Sequence, residues 1–207
     1  MEMSVVETLI RRLGGLIALM TLVIVLAGIW RGTRHAMGRA VGQTTNWLRS
    51  PVFYLFSTVL FLVFSILFWR PLPLVLSPAA QIIALTLGAI FYVFGMTFVL
   101  WGRLALGKMY FVSTSLGAQL FANHQLVTHG PFAIVRHPMY LGLISAALGG
   151  LLIYQTWTTV FFAVFSPFVL MRARREERAL SAEFGPTWQE YCRRVPAIIP
   201  FWRSYKP

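Results

Sequence analysis

The sequence predicts an all-α, polytopic membrane protein with about five transmembrane helices, and three observations predict it. First, 57% of the 207 residues are hydrophobic and only 12% are charged, with a mean hydropathy of +0.70, which is too apolar for an ordinary soluble domain. Second, uncharged apolar runs long enough to cross a bilayer recur along the chain. Third, the 18 Lys and Arg, set against 6 acidic residues for a net charge of +12, gather between and after those runs. Nucleic acid is one surface that such a charge could meet, but the apolar runs make the arginines headgroup anchors and orientation signals. Membrane lipids are therefore the expected partners, and no nucleic acid is expected. A single cysteine, Cys192, excludes an intrachain disulfide framework and a cysteine zinc cluster, and no metal site is predicted.

In chain order, Leu13 to Trp30 is an uncharged run preceded by Arg11 and Arg12. A signal peptide competes for this stretch, but its apolar core is usually about 7–15 residues long and is not followed by further spans. Gly28 and Gly32 have small-xxx-small spacing. Residues 31–50 read as a basic connecting loop. Pro51 to Trp69 is the second span, closed by Arg70 and the break at Pro71-Leu72-Pro73, and a third runs from about Ala79 to Trp101. Within that third span Gly88 and Gly95, seven apart, share a face and would admit a neighbouring helix closely.

From Arg103 to Gln125 polar residues alternate with Leu and Phe, as in an interfacial segment. Leu141 to Met171 holds no charge and is divided by Tyr154-Gln155-Thr156. Two helices of about 15 residues rise only about 22 Å each, so a tight hairpin of short helices is predicted, with Pro167 kinking its second arm. The tail from Arg172 carries every acidic residue beyond the first seven positions and reads as a cytosolic helix, a break at Gly185-Pro186 and a second short helix. Residues 31–50, 102–136 and the tail are basic, whereas 70–78 and 154–156 are not. Five spans, with the amino terminus outside and the carboxyl terminus cytoplasmic, satisfy that pattern.

The chemistry is expected in HQLVTHGPFAIVRHPMY, from His124 to Tyr140. Gly130-Pro131 and His137-Pro138 make this a bent loop, and polar groups next to a membrane are costly without a function. Beyond the hairpin, Arg172 and Glu176 stand at i and i+4, on one face of a helix that leaves the bilayer. An intrahelical ion pair, an interfacial His124 or Tyr140 and a phosphate-anchoring Arg136 are the structural alternatives to functional roles. The soluble catalytic signatures are missing: there is no H-E-x-x-H, nucleophile elbow, P-loop or Gly-x-Gly-x-x-Gly.

Taken jointly, HQLVTHGPFAIVRHPMYLG, a short uncharged hairpin and REExxLxxEFGxxWxxYxxRVPxxxP resemble the isoprenylcysteine carboxyl methyltransferase family over residues 100–202. The resemblance implies an integral-membrane methyltransferase that uses S-adenosylmethionine without a Rossmann domain. Residues 1–102 would supply three spans and 103–207 the catalytic region. By position it assigns His124, Gln125, Leu126, Val127, Phe132, His137, Pro138, Met139, Tyr140 and Glu176 to the cofactor and Arg172 to the substrate. Phe132 is a departure, since many relatives carry Tyr there and a hydroxyl contact would be lost.

The residue types suit those roles. S-adenosylmethionine needs an anion for its ammonium, donors for its carboxylate and flat apolar walls. Glu176 supplies the anion, groups around His137 the donors, and Phe132 with Leu126 and Val127 the walls. A carboxylate acceptor is already ionised at neutral pH, so the missing general base is no obstacle. Glu177, about 100° around the helix from Glu176, is expected to matter much less to cofactor binding. The resemblance also implies a lipophilic substrate of the prenylcysteine type, entering from the bilayer. A phospholipid amine or a lipophilic thiol as acceptor, an NADPH-dependent membrane sterol or lipid reductase, and a non-enzymatic membrane scaffold remain open.

Overall fold

The computed structural model describes residues 3–32, 37–42, 51–109, 117–121 and 125–199. The apolar runs become helices α1 (Met3–Gly32), α2 (Pro51–Leu67) and α3 (Pro78–Leu106). Ser77 starts α3 by accepting from the Ala80 amide at 3.3 Å, with Pro78 in the first turn where no amide is needed. Gly107, at φ 49°, ends it. Two helical stretches, Val5–Arg31 and Pro78–Leu106, are long and apolar enough to cross a membrane. Helix α2, with 17 residues, rises only about 25 Å and is short for a perpendicular span.

The expected hairpin is α4 (Pro138–Tyr154) and α5 (Trp157–Phe165). Gln155 turns the chain in the left-handed region at φ 51°, and Thr156 with Thr159 forms a capping box that starts α5. Pro167 does more than kink the second arm. It sits in a 3-10 turn, Ser166–Phe168, that separates the nine-residue α5 from α6 (Val169–Arg194). A proline ring inside a helix removes one hydrogen bond and crowds the preceding carbonyl. The break expected near Gly185 is present at φ 48° inside α6.

The described residues are overwhelmingly helical, with one exception that the pattern reading did not anticipate. Part of the expected basic loop and part of the expected interfacial segment pair as antiparallel strands, β1 (Met37–Gly42) and β2 (Gly117–Phe121), so the fold is not purely α. Such pairing satisfies backbone groups that a loop would leave to solvent.

The close approach expected at Gly88 and Gly95 is made by α4, which brings its own glycines seven apart. A Cβ on Gly95 would collide with the backbone of Gly142 and Ala146, and one on Gly149 with the backbone of Gly88 and Tyr92. The seam continues into a core of Tyr92, Met96, Ala146 and Ile153, against which Ile10 and Ile17 of α1 pack. Two tyrosine hydroxyls fasten α1: Tyr92 donates to the Gly14 carbonyl at 2.9 Å and Tyr154 to that of Arg11 at 2.8 Å. At Gly28 the approach is by a side chain, the Arg103 guanidinium of α3. At the end of α4 where the chain turns, Leu72 donates to the Gln155 carbonyl at 2.8 Å and Trp157 to that of Arg70 at 3.1 Å. The outer faces stay apolar and open, with Val52 71% and Ile66 74% exposed. Such a surface suits lipid, not water.

Candidate active site

The His124–Tyr140 loop is described from Gln125 onward, and His124 lies outside the described residues. After an irregular stretch, Gly130–Ala133 forms one 3-10 turn with Gly130 at φ 62°, and the chain reaches α4 through Arg136 and His137. His137 is the residue before Pro138 and sits at φ −123°, outside the helix. That geometry frees two successive amides for distant partners. Arg136 donates its amide to the Pro196 carbonyl at 2.9 Å and His137 to that of Ala197 at 3.0 Å.

Side chains lock the same junction. The Arg136 guanidinium is buried and donates to Glu177 Oε1 from Nε at 3.0 Å and from Nη2 at 2.8 Å. Its Nη1 donates to the Val195 carbonyl at 2.7 Å and to that of Cys192 at 3.3 Å. Trp188 lies under the cation at 5.9 Å. Tyr191 donates to the Phe132 carbonyl at 2.6 Å, and burial pushes its hydroxyl well above the ordinary tyrosine range, so it remains a donor. Burial likewise raises the Cys192 thiol.

The two glutamates divide the polar face of α6. Glu177 Oε1 lies 3.1 Å from His137 Nε2 as well as on Arg136, and a ring nitrogen facing a carboxylate must carry the proton. Burial works to raise the Glu177 carboxyl, but the His137 hydrogen bond and the His137 and Arg136 charges outweigh it and hold it below the usual value. Glu176 accepts from the Tyr140 hydroxyl at 2.5 Å and has His137 Nδ1 at 3.8 Å from its other oxygen. The Tyr140 and His137 rings stack at 5.5 Å. One turn earlier Arg172 is half-buried, and its Nε is buried with no hydrogen-bond partner among the described residues.

The structure therefore brings His137, Tyr140 and Glu176 together, with Arg172 one turn away on the same helix. Pro138 is fully buried at the start of α4, and Met139 packs against Gly102 of α3. Phe132 is buried, and Leu126 packs against the cluster of Trp188, Tyr191, Cys192 and Val195. Val127 is half-buried, and Gln125 is exposed. Glu177, expected to matter much less than Glu176 to the cofactor, carries the buried arginine and contacts His137. Arg136, for which a phosphate anchor was the structural alternative to a functional role, instead binds Glu177 and two backbone carbonyls.

These features define a helical membrane protein whose polar site is assembled from one bent loop and the first turns of the helix that follows the apolar hairpin. A family model described as phospholipid methyltransferase matches residues 83–187, just over half of the chain. The chain belongs to this methyltransferase family, and its resemblance to the isoprenylcysteine enzymes holds. It is 38% identical over 80 residues to the protein-S-isoprenylcysteine O-methyltransferase of Schizosaccharomyces pombe, covering 38% of this chain and 34% of that protein. It is 34% identical over 98 residues to methanethiol S-methyltransferase 2 of Bradyrhizobium diazoefficiens, covering 44% and 32%. It is also 40% identical over 83 residues to a delta(14)-sterol reductase of Mus musculus, covering 38% and 20%. The matched part thus spans about a fifth to a third of these relatives.

Proposed function

We propose that this chain is an integral-membrane methyltransferase that uses S-adenosylmethionine and acts on a lipophilic acceptor drawn from the bilayer, a carboxylate of the prenylcysteine type. The observation that carries the reading is the pairing on α6 of Glu176, seated against Tyr140 and His137, with Arg172, whose buried Nε has no hydrogen-bond partner among the described residues. When bound, S-adenosylmethionine supplies a sulfonium-activated methyl group. Glu176 would face its ammonium, with Tyr140 holding the Glu176 carboxylate in place and the His137 ring stacked on Tyr140 beside it. Phe132, Leu126 and Val127 would form the apolar side, with Gln125 leading into it and Pro138 and Met139 seating the loop on α3. Arg172 orients the acceptor oxygen through its planar fork. In-line displacement then depends on positioning and on exclusion of water.

Transfer of label from methyl-labelled cofactor to a membrane extract tests this reading directly. Titration with S-adenosylmethionine and with NADPH separates it from the reductase reading, which the likeness to a sterol reductase favours; tight NADPH binding without methyl transfer would sink the proposal. The acceptor class is tested at Arg172. For a carboxylate, Arg172→Lys should leave cofactor affinity within a few-fold and lower transfer by roughly one to two orders of magnitude, the scale of a charged hydrogen-bonded pair. An amine or thiol acceptor predicts a wild-type rate.

The basic segments support a membrane topology with five spans, residues 1–102 holding three of them and 103–207 forming the catalytic region. The carboxyl terminus and cofactor site are then cytoplasmic. Single cysteines at positions 39 and 155, with Cys192 replaced, should label from opposite sides of sealed vesicles. Labelling from one side refutes the topology.

A further inference from the structure

We propose that a second cavity, at the opposite end of α4 from the candidate active site, binds a phosphate-bearing anion, either the headgroup of an acidic membrane lipid or a soluble phosphate compound. The cavity has a volume of about 370 Å³ and is lined by Arg11, Arg12, Trp69, Pro71, Tyr154 and Thr156. Tyr154 closes α4 and Pro138 opens it. The intervening 17 residues rise about 25 Å, so this is a separate site, and the inference does not rest on methyl transfer.

Charge gives the ligand its sign. The lining holds two guanidinium groups and no carboxylate. Arg11 Nη2 is paired with Glu7 at 2.7 Å, but that same oxygen also accepts from Gln81 at 3.4 Å. Arg11 Nε is buried and has no hydrogen-bond partner among the described residues, while Arg12 is exposed beside it. A buried cationic N–H without an acceptor is destabilising, and a phosphate offers several acceptor oxygens in the geometry that a guanidinium fork matches. Backbone donors contribute little here. The first amides of α5 already donate to Arg70, Phe68 and Thr156.

The walls are fixed from several elements, so the cavity is not a gap between loose chains. The Tyr154 hydroxyl holds the Arg11 carbonyl, and its ring packs on Trp69 at 5.3 Å. Pro71 and Thr156, both in the lining, are joined as an isolated bridge. Gly14 lets the tyrosine in, since a Cβ there would lie 2.5 Å from the Tyr154 oxygen. Trp and Tyr beside arginines at the end of an apolar helix pair is the arrangement found at headgroup depth.

The test uses the full-length protein in detergent. Native mass spectrometry counts retained phosphatidylglycerol against phosphatidylcholine, and thermal melting is followed with inorganic phosphate alone. The wild type should retain phosphatidylglycerol preferentially or be stabilised by phosphate. Either response should weaken roughly tenfold in Arg12→Gln, the scale of one charge-assisted contact, and recover in part in Arg12→Lys. Arg31→Gln, at the far end of α1, controls for net charge and should change nothing. Lipid retention without a phosphate response assigns the site to a headgroup, and the converse assigns it to a soluble phosphate compound. Equal retention of both lipids with no response to phosphate overturns the proposal. So does a response that persists in Arg12→Gln or is lost equally in Arg31→Gln.

Discussion

The α3–α4 seam and the junction between the Arg136 loop and α6 are both tightly closed, but by opposite means. The seam is closed by shape: Gly88 and Gly95 against Gly142 and Gly149 bring two backbones together with almost no polar contact. The junction is closed by charge: a buried guanidinium collects one carboxylate and two carbonyls. Inside a bilayer there is little hydrophobic gain from moving a side chain off lipid, so close packing must hold helices together. At the membrane edge, water competes for every polar group. Burying Arg136 there is tolerable only because its donors find partners.

The sharpest way to break the junction is Arg136→Leu. It would leave Glu177 and the carbonyls of Cys192 and Val195 without their cation, and the expected loss is about 3 kcal/mol, the scale of an uncompensated buried charge. Denaturant unfolding in detergent checks it. Wild-type stability would show that the guanidinium does not hold the loop to α6. At the seam, Gly95→Leu forces a side chain against the Gly142 and Ala146 backbone and should lose about 1–3 kcal/mol by overpacking. Gly150→Ala meets only the Tyr92 ring, at 3.9 Å, and should be neutral, so equal losses would refute the shape argument.

The smallest effect separates the two glutamates. Glu176→Gln should weaken S-adenosylmethionine binding while leaving stability intact, whereas Glu177→Gln should lose about 1–2 kcal/mol of stability. A depressed folded-state carboxyl contributes stability that is fully present above its ordinary, unfolded value and is lost as pH falls through the folded one. Glu177 is the group so depressed. Stability measured from pH 6 down to pH 3, within the usual carboxylate range, should therefore fall less steeply in Glu177→Gln than in the wild type. Parallel curves would remove Glu177 from that linkage.

Local chemistry made part of this legible in sequence. Pro51, the Pro71-Leu72-Pro73 break, the Gly88 and Gly95 spacing and the Gly185 stop each act through their own backbone geometry, and each appears where it was expected. Gly142 and Gly149 carry the matching half of the seam but were lost in a run notable only for lacking charge. Arg136 could not be placed from its neighbours, because nothing nearby in sequence distinguishes an arginine that meets lipid phosphate from one that meets Glu177, 41 positions later. The β1–β2 ribbon escaped for the same reason: each strand is unremarkable until the other is adjacent.

The bond from Arg136 to the Val195 carbonyl spans 59 positions, and this sets an order of events during synthesis. Translation proceeds at about 5–20 residues per second, so the loop emerges roughly three to twelve seconds before the segment that closes over it. Throughout that interval Arg136 has no Val195 or Pro196 to bind and His137 no Ala197, and the polar side of the loop cannot take its final form. The apolar helices can insert and find one another early, since their seam joins segments made in succession. The site therefore matures after the seam, and a nascent chain stalled before Val195 would be a membrane-integrated protein whose loop lacks the partners that hold it.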